Sequence, residues 1–405
     1  MKEIKGGITA AKGFKAASCA AGIKYKDRTD MAMVYSEKEA VCAGTFTTNR
    51  VKAACVKWDM LVREKGVAQA IVVNSGIANA CTGKEGFDAC ESVAKAVSDE
   101  LNVDSDKVIV ASTGVIGMQL PVDKLVAGVR TMAGNLDDSI EAGTASSKAI
   151  MTTDTVNKEI AVSIEIDGKE VIIGGMCKGS GMIHPNMCTM LAFLGSDVAI
   201  TKELLQEAVS EVVDETFNMI TVDGDTSTND TFMLLANGMS KASITSKGKD
   251  YDVFRDALFY VCRNLAMRMA ADGEGATRLF EAEVVNAKCK EDARTLSKAI
   301  VGSSLSKAAI FGRDANFGRF LCAMGYSGAE FDEADVELYF VSKAGRLKVF
   351  DHGVPIEFDE EEAVRIMSED AVTVYVNMNE GEDQATAWGC DLTYDYVKIN
   401  ADYRS

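Results

Sequence analysis

The run GGMCKGSGMIHPNMCTMLAFL, residues 174–194, passes from glycine-rich to methionine-rich to apolar. It holds one of the chain's three prolines and one of its two histidines. Just upstream, KEIAVSIEIDGKEVIIGGMC (158–177) reads as an alternating strand, the turn Asp167-Gly168 and a second strand, which predicts a β-hairpin. Downstream, the apolar residues after Thr189 read as another strand. Beyond them, TKELLQEAVSEVVDETFNMI (201–220) places Leu205, Ala208, Val209, Val212 and Thr216 at helical spacing. The glycine-rich run is therefore a connection between strands, and the fold depends on how such connections are arranged.

Working outward, VAQAIVVNSG (67–76) and KVIVASTGVIG (107–117) predict strands that end in turns. GFDACESVAKAVSDEL (86–101) predicts a helix with Phe87, Cys90, Val93, Ala94 and Val97 on one face, and 121–136 a helix with Pro121 at its first turn. A long helix over 251–271 turns Phe254, Leu258, Val261, Cys262, Leu265 and Met269 inward. The segments 334–350, 371–378 and 384–404 read as strands. Strands and helices mix without strict βαβ alternation. The predicted class is α/β, a layered α+β sandwich rather than a doubly wound parallel sheet.

The 405 residues carry 61 acidic and 43 basic side chains, a formal net charge of −18. Such a chain repels nucleic acid and anionic membranes, so small-molecule substrates are the expected partners. No apolar run is long enough to span a bilayer. The eleven cysteines are scattered, without a CxxC pair, and read as reduced packing residues of a cytoplasmic protein. The lysine- and alanine-rich start of the chain lacks arginine before Arg28 and carries acidic residues, unlike an organelle transit leader. With two histidines and no CxxC, neither a metal site nor a cofactor is expected.

Several chemistries compete for the opening run. A phosphate loop needs its lysine after the second glycine, but Lys178 precedes Gly179-Ser180-Gly181. DGDTSTNDTFML (223–234) begins like a calcium loop, yet Thr228 and Leu234 occupy the positions that require glycine and glutamate. That stretch is left as either a polar turn bonding its own backbone or a lining of an active site. A Ser-His-Asp hydrolase lacks a GxSxG elbow, and His352 in DHGVP reads as a surface turn residue. A threonine can instead attack its own preceding peptide bond and emerge as a new N-terminus. Its α-amine, with an ordinary pKa of about 7.7–8.0, can then serve as general base to its own hydroxyl. Cys188-Thr189, with glycines upstream and an apolar strand after it, fits that requirement.

KGSGMIHPNMCTML closely resembles the processing site of the ornithine acetyltransferase family, the bifunctional or monofunctional glutamate N-acetyltransferases of arginine biosynthesis. GTFTTNRVKAA (44–54), VVNSG (72–76), ASTGVIG (111–117), IMTTDT (150–155), DGDTSTND (223–230), DGEGATRL (272–279), FGRDANFGR (311–319) and YVKINADYRS (396–405) agree with it in order. The resemblance implies self-cleavage between Cys188 and Thr189, giving an α chain of residues 1–188 and a β chain of residues 189–405, intertwined and assembled as an α2β2 heterotetramer. It implies ping-pong acetyl transfer from N2-acetyl-L-ornithine to L-glutamate through acetyl-Thr189, with acetyl-CoA as a second donor in bifunctional members. Thr113 and Gly114 match the family's oxyanion donors. Lys178, Glu274, Asn400, Ser405 and one of Thr152 and Thr153 match substrate-binding positions. A self-processing amidohydrolase or aminopeptidase on a related fold is the alternative. The chain departs from the family pattern at Cys188, where alanine is commoner, at Ile77, where asparagine is usual, and at Phe317, where tryptophan is.

Overall fold

The structure is a computed structural model that describes residues 1–184 and 190–402. The expected cleavage pair Cys188-Thr189 and the expected binding residue Ser405 lie outside the described residues.

The strands are β1 (Lys2–Ile4), β2 (Phe14–Cys19), β3 (Met31–Phe46), β4 (Val67–Ile77), β5 (Val108–Val115), β6 (Lys158–Ile166), β7 (Lys169–Lys178), β8 (Leu191–Ser196), β9 (Ala199–Ile200), β10 (Thr231–Ala236), β11 (Ser243–Ile244), β12 (Leu279–Ala287), β13 (Glu337–Ser342), β14 (Gly345–Asp351), β15 (Val354–Pro355), β16 (Ala371–Asn377) and β17 (Asp383–Cys390). The helices are α1 (Ala54–Lys65), α2 (Gly83–Leu101), α3 (Val122–Ala133), α4 (Ile140–Ala149), α5 (Lys202–Glu215), α6 (Lys249–Ala271), α7 (Lys290–Gly302), α8 (Ser304–Gly312), α9 (Phe317–Gly325), α10 (Glu360–Met367) and α11 (Tyr394–Ala401). They sort into two compact units, residues 1–179, 190–218 and 226–265 in the first and 180–184, 219–225 and 266–402 in the second.

In the first unit the described strands form a mixed sheet in the order β1-β6-β7-β8-β10-β3-β4-β5, with β2 beside the first half of β3. The β8/β10 and β4/β5 pairs are parallel; the other neighbours are antiparallel. β8 and β10 are buried at every position, and β7 at nearly every position after its first turn. Strands covered on both faces read as continuous apolar runs, which is why alternation fails there. The hairpin is confirmed, with Asp167 (φ 51°) and Gly168 (φ 65°) at its turn. β7 and β8 are hydrogen-bonded neighbours, with Lys178 opposite Leu191. Segments on either side of the expected cut thus contribute adjacent strands to one sheet.

β5 is the edge of this sheet, and α1 packs on it. The outward Val110 N–H, which has no strand to pair with, donates to Asp59 Oδ1 of α1 at 2.8 Å. Asp59 is fully buried, and no described donor reaches its Oδ2. Burial pushes its carboxyl well above the usual range, with the Val110 bond opposing. A carboxyl with a raised folded-state pKa holds its proton while the unfolded chain releases it. Stability is therefore lost as pH rises above the unfolded value, by about 1.4 kcal/mol per unit until the folded group ionises. Asp59→Asn keeps the acceptor and removes the titration. Thermal melts are expected to show Asp59→Asn more stable than wild type at pH 8, with the gap closing toward pH 4.

The second unit contains a sheet in the order β15-β14-β13-β16-β12-β17, with β12/β16 parallel. Its alternation is strict: Leu338 and Phe340 of β13 and Val372, Val374 and Val376 of β16 are buried, while the residues between them are half-exposed or exposed. The buried face is covered by α7, α9 and α10, with Phe320 meeting Phe280 and Phe340 edge-on at 6.0 and 5.4 Å. On the other face Arg346 lies 4.0 and 4.5 Å from the ring centroids of Tyr339 and Tyr375.

The strand-rich 334–350 segment is a hairpin, turning between Ser342 and Gly345. One expectation is corrected. The 384–404 segment is β17 followed by α11, begun by Thr393, whose hydroxyl accepts the Tyr396 N–H. The β-favouring Tyr and Val residues there were misleading, because a cap and tertiary contacts outweigh intrinsic propensity. The helix faces drawn for 201–220 and 251–271 are buried as expected.

Candidate active site

β4 and β5 run in register until Ser75 faces Thr113 and Gly76 faces Gly114, where the ladder becomes irregular. Both glycines have positive φ, 104° and 131°. A Cβ on Gly114 would sit 2.2 Å from the Gly76 carbonyl carbon and 2.7 Å from Ile77 N. Only glycine serves there, on both conformation and space. The turn leaves Thr113 and Gly114 half-buried at the strand end.

A buried amide network braces this turn. Ser112 Oγ donates to Asn74 Oδ1 at 2.7 Å, and Asn74 Nδ2 donates to the Ile77 carbonyl at 3.0 Å. Asn229 Nδ2 donates to the Ala78 carbonyl at 2.5 Å and the Ser112 carbonyl at 2.8 Å. Asn229 belongs to the DGDTSTND stretch, which in part bonds its own backbone as a polar turn. Its Asn229 N–H does bond Ser227 Oγ within the turn (3.2 Å), while its side chain ties the ends of β4 and β5. The same stretch accepts from Ala53 N–H, Asn49 Nδ2 and Thr47 Oγ1 through the carbonyls of Thr228, Thr226 and Ser227. Ile77, an expected departure, packs its side chain into the core at 3% exposure.

Lys178, at the end of β7, places Nζ 2.9 Å from Thr152 Oγ1 and 3.3 Å from Thr113 Oγ1. Of the two expected threonines, Thr152 offers its hydroxyl to the lysine. Asp154, which sequence reasoning missed, organises the group. Its Oδ1 accepts Lys158 Nζ and the Gly179 N–H, both at 2.7 Å. Its Oδ2 accepts the Thr152 N–H at 3.1 Å and lies 4.0 Å from Lys178 Nζ. The side chains of Asp154 and Lys158 are 0% exposed. Burial alone raises the Asp154 carboxyl; the charges of Lys178 and Lys158 outweigh it and hold the group down to about 2. A lone charge in such a place would be prohibitive, so the lysines and the acid require one another. Arg28 fixes the same loop from outside through the Met151 and Thr152 carbonyls, at 2.7 and 3.1 Å. IMTTDT carried the signal for Asp154, an acid two residues beyond a threonine, but nothing in the sequence joined it to Lys158.

Asp230, opening β10, is also buried. Burial holds its carboxyl well above the usual range, against hydrogen bonds from Ser227 and Thr47 and the charge of Lys178. Asp154 thus lies between two ammonium groups, those of Lys158 and Lys178.

In the second unit, Glu274 Oε2 accepts Asn400 Nδ2 at 2.8 Å, and the Glu274 N–H donates to the Ser180 carbonyl at 2.8 Å. A Cβ on Gly181 would lie 2.4 Å from the Glu274 carboxyl carbon, so this glycine is a requirement of the glutamate's position. Two expected binding residues, separated by more than a hundred positions, are directly paired. His184 Nδ1 meets Thr221 Oγ1 at 3.0 Å, and burial, then Lys298, lowers its pKa. His352 is exposed beside Asp351. Glu337, Asp351 and His352 are the one metal-like grouping among the described residues, but Lys348 Nζ already lies 2.5 Å from both carboxylates. Phe317, another departure, stacks on Phe350 with centroids 5.7 Å apart.

The site's parts come from sequence stretches spread along the chain, and the similarity to known proteins is equally extended. The model described as "ArgJ family" matches residues 15–405. The chain is 49% identical to "Arginine biosynthesis bifunctional protein ArgJ" of Caldanaerobacter subterraneus subsp. tengcongensis, over 100% of both chains. It is 49% identical to "Arginine biosynthesis bifunctional protein ArgJ 1" of Clostridium acetobutylicum, over 98% of this chain and 97% of that one. A solved ornithine acetyltransferase from Mycobacterium tuberculosis, complexed with ornithine, is 41% identical over 45% of this chain and 96% of that chain, with a TM-score of 0.43. Near-half identity from end to end leaves one assignment: the chain belongs to the ArgJ family.

Proposed function

We propose that the protein is a glutamate N-acetyltransferase that moves an acetyl group from N2-acetyl-L-ornithine to L-glutamate. The observation that carries this reading is the convergence of the Thr113 hydroxyl, the Gly114 turn and the Lys178 ammonium. Self-cleavage at Cys188-Thr189 frees the α-amine of Thr189. That amine takes the hydroxyl proton as Thr189 Oγ attacks the acetyl carbonyl. The oxyanion is met by the Thr113 hydroxyl and the Gly114 N–H, and collapses as the amine of ornithine leaves with the proton. The amine of glutamate then attacks acetyl-Thr189, and the same groups act in reverse. Lys178 draws the substrate carboxylate, and Glu274 with Asn400 receives the amino group. Thr152, Thr153 and Ser405 complete the contacts to substrate.

The relatives' names include the word bifunctional. In this reading the second activity is acetylation of glutamate from acetyl-CoA. The working assembly is α2β2 in the cytoplasm, and no cofactor takes part. Incubating the protein with N2-acetyl-L-ornithine, with and without L-glutamate, tests the assignment. N-acetylglutamate formed at a rate exceeding free acetate release supports transfer; acetate release indifferent to glutamate would establish the amidohydrolase instead. Asn400→Ala is expected to raise KM for glutamate about 10- to 100-fold, leaving kcat within a factor of about 2, since one charge-assisted hydrogen bond contributes roughly 1.5–3 kcal/mol.

A further inference from the structure

We infer that Asp154 is a positioning residue for acyl transfer: it holds the Lys178 ammonium against Thr113 and so fixes the direction in which Thr113 presents its hydroxyl proton. The inference rests on the reading of Thr113 as an oxyanion donor. A threonine hydroxyl has one proton and two acceptor sites and rotates to suit its neighbours. An ammonium can only donate. With Lys178 Nζ 3.3 Å from Thr113 Oγ1, the oxygen accepts and its own proton is turned away from the lysine. A hydroxyl held this way is a donor before substrate arrives, and no reorganisation is needed as the oxyanion develops.

Asp154 sets where that ammonium stands. Its carboxylate binds the N–H of Gly179, which directly follows Lys178, and the N–H of Thr152, whose hydroxyl also receives Lys178. One side chain thus ties together the two backbone segments that carry the ammonium and its second partner. Lys158 locks the carboxylate in turn, donating to Asp154 Oδ1 and, at 3.2 Å, to the Val156 carbonyl. A fully buried ion pair adds little net stability over an apolar pair of similar volume. Its place beside Thr113 therefore calls for another account. Two ammonium groups facing one carboxylate leave the cluster net positive, the sign that favours an oxyanion nearby.

The test is a set of variants assayed for N2-acetyl-L-ornithine-to-glutamate transfer, per mole of protein that intact mass shows to be split into two chains. Thr113→Val is expected to lower kcat about 10²-fold. Asp154→Asn is expected to lower kcat about tenfold, on the scale of a misdirected charge-assisted bond, in addition to any rise in KM from displacing Lys178. The double variant Thr113→Val/Asp154→Asn should be no slower than Thr113→Val alone, since both act through one hydroxyl. Lys178→Met keeps the Asp154–Lys158 pair and serves where Asp154→Asn folds poorly; its kcat loss should likewise vanish in the Thr113→Val background. Additive losses, or an Asp154→Asn effect confined to KM, would overturn the inference. So would failure of both Asp154→Asn and Lys178→Met to split, which would assign the cluster to processing. A Thr113→Val enzyme with normal kcat would sink the oxyanion reading itself.

Discussion

Gly114→Ala is expected to reduce acetyl transfer by at least 10²–10³-fold, the loss that follows removal of one oxyanion donor. The added methyl has nowhere to go. It would stand 2.2 Å from the Gly76 carbonyl carbon, and both atoms belong to paired backbone rather than to flexible side chains. The φ of 131° is itself costly for alanine, on the order of 1–3 kcal/mol. Relief requires β5 to move from β4, which carries the Gly114 N–H off its line and breaks the amide brace from Asn229 to Ser112. The melting temperature should fall by several degrees while the protein still folds, because the disturbance is confined to one end of an edge strand. Steady-state kinetics and a thermal melt on one preparation check both parts. An active Gly114→Ala enzyme would remove this turn from the mechanism.

The second large effect is expected at Thr189. Thr189→Ala removes the attacking hydroxyl for both self-cleavage and acetyl transfer, so intact mass should show one unsplit chain and activity should fall to background. Thr189→Ser keeps a hydroxyl and should retain cleavage. Cys188 precedes the scissile bond, and Cys188→Ala should leave processing intact, since the preceding residue supplies only the carbonyl. A Thr189→Ala chain that still splits would place the nucleophile elsewhere.

Much of the architecture was legible because local signals agreed with the fold. The Asp167-Gly168 hairpin, the α5 and α6 faces and the strands ending at Gly76 and Val115 follow from period and turn chemistry. The last fifth of the chain was less so: Tyr394, Tyr396 and Val397 favour strands, yet Thr393 caps a helix there. Of the site, Thr113, Gly114, Thr152 and Lys178 could be named in advance because each stands in a distinctive string. Asp154 and Lys158 could not. An acid and a lysine four residues apart are ordinary in sequence, and only the fold reveals that both are fully buried and paired, with the acid also facing Lys178. Asn229 was hidden for a similar reason: its role is set by the carbonyls of Ala78 and Ser112, which residue types do not announce.

The central claim is that Thr189 carries the acetyl group between two substrates. The most direct measurement is the intact mass of the purified protein before and after a brief exposure to N2-acetyl-L-ornithine without glutamate, followed by addition of glutamate. The account predicts two chains, residues 1–188 and 189–405, with one acetyl group gained by the second alone and lost when glutamate is added. A single uncut chain, or an acetyl group on residues 1–188, would contradict it.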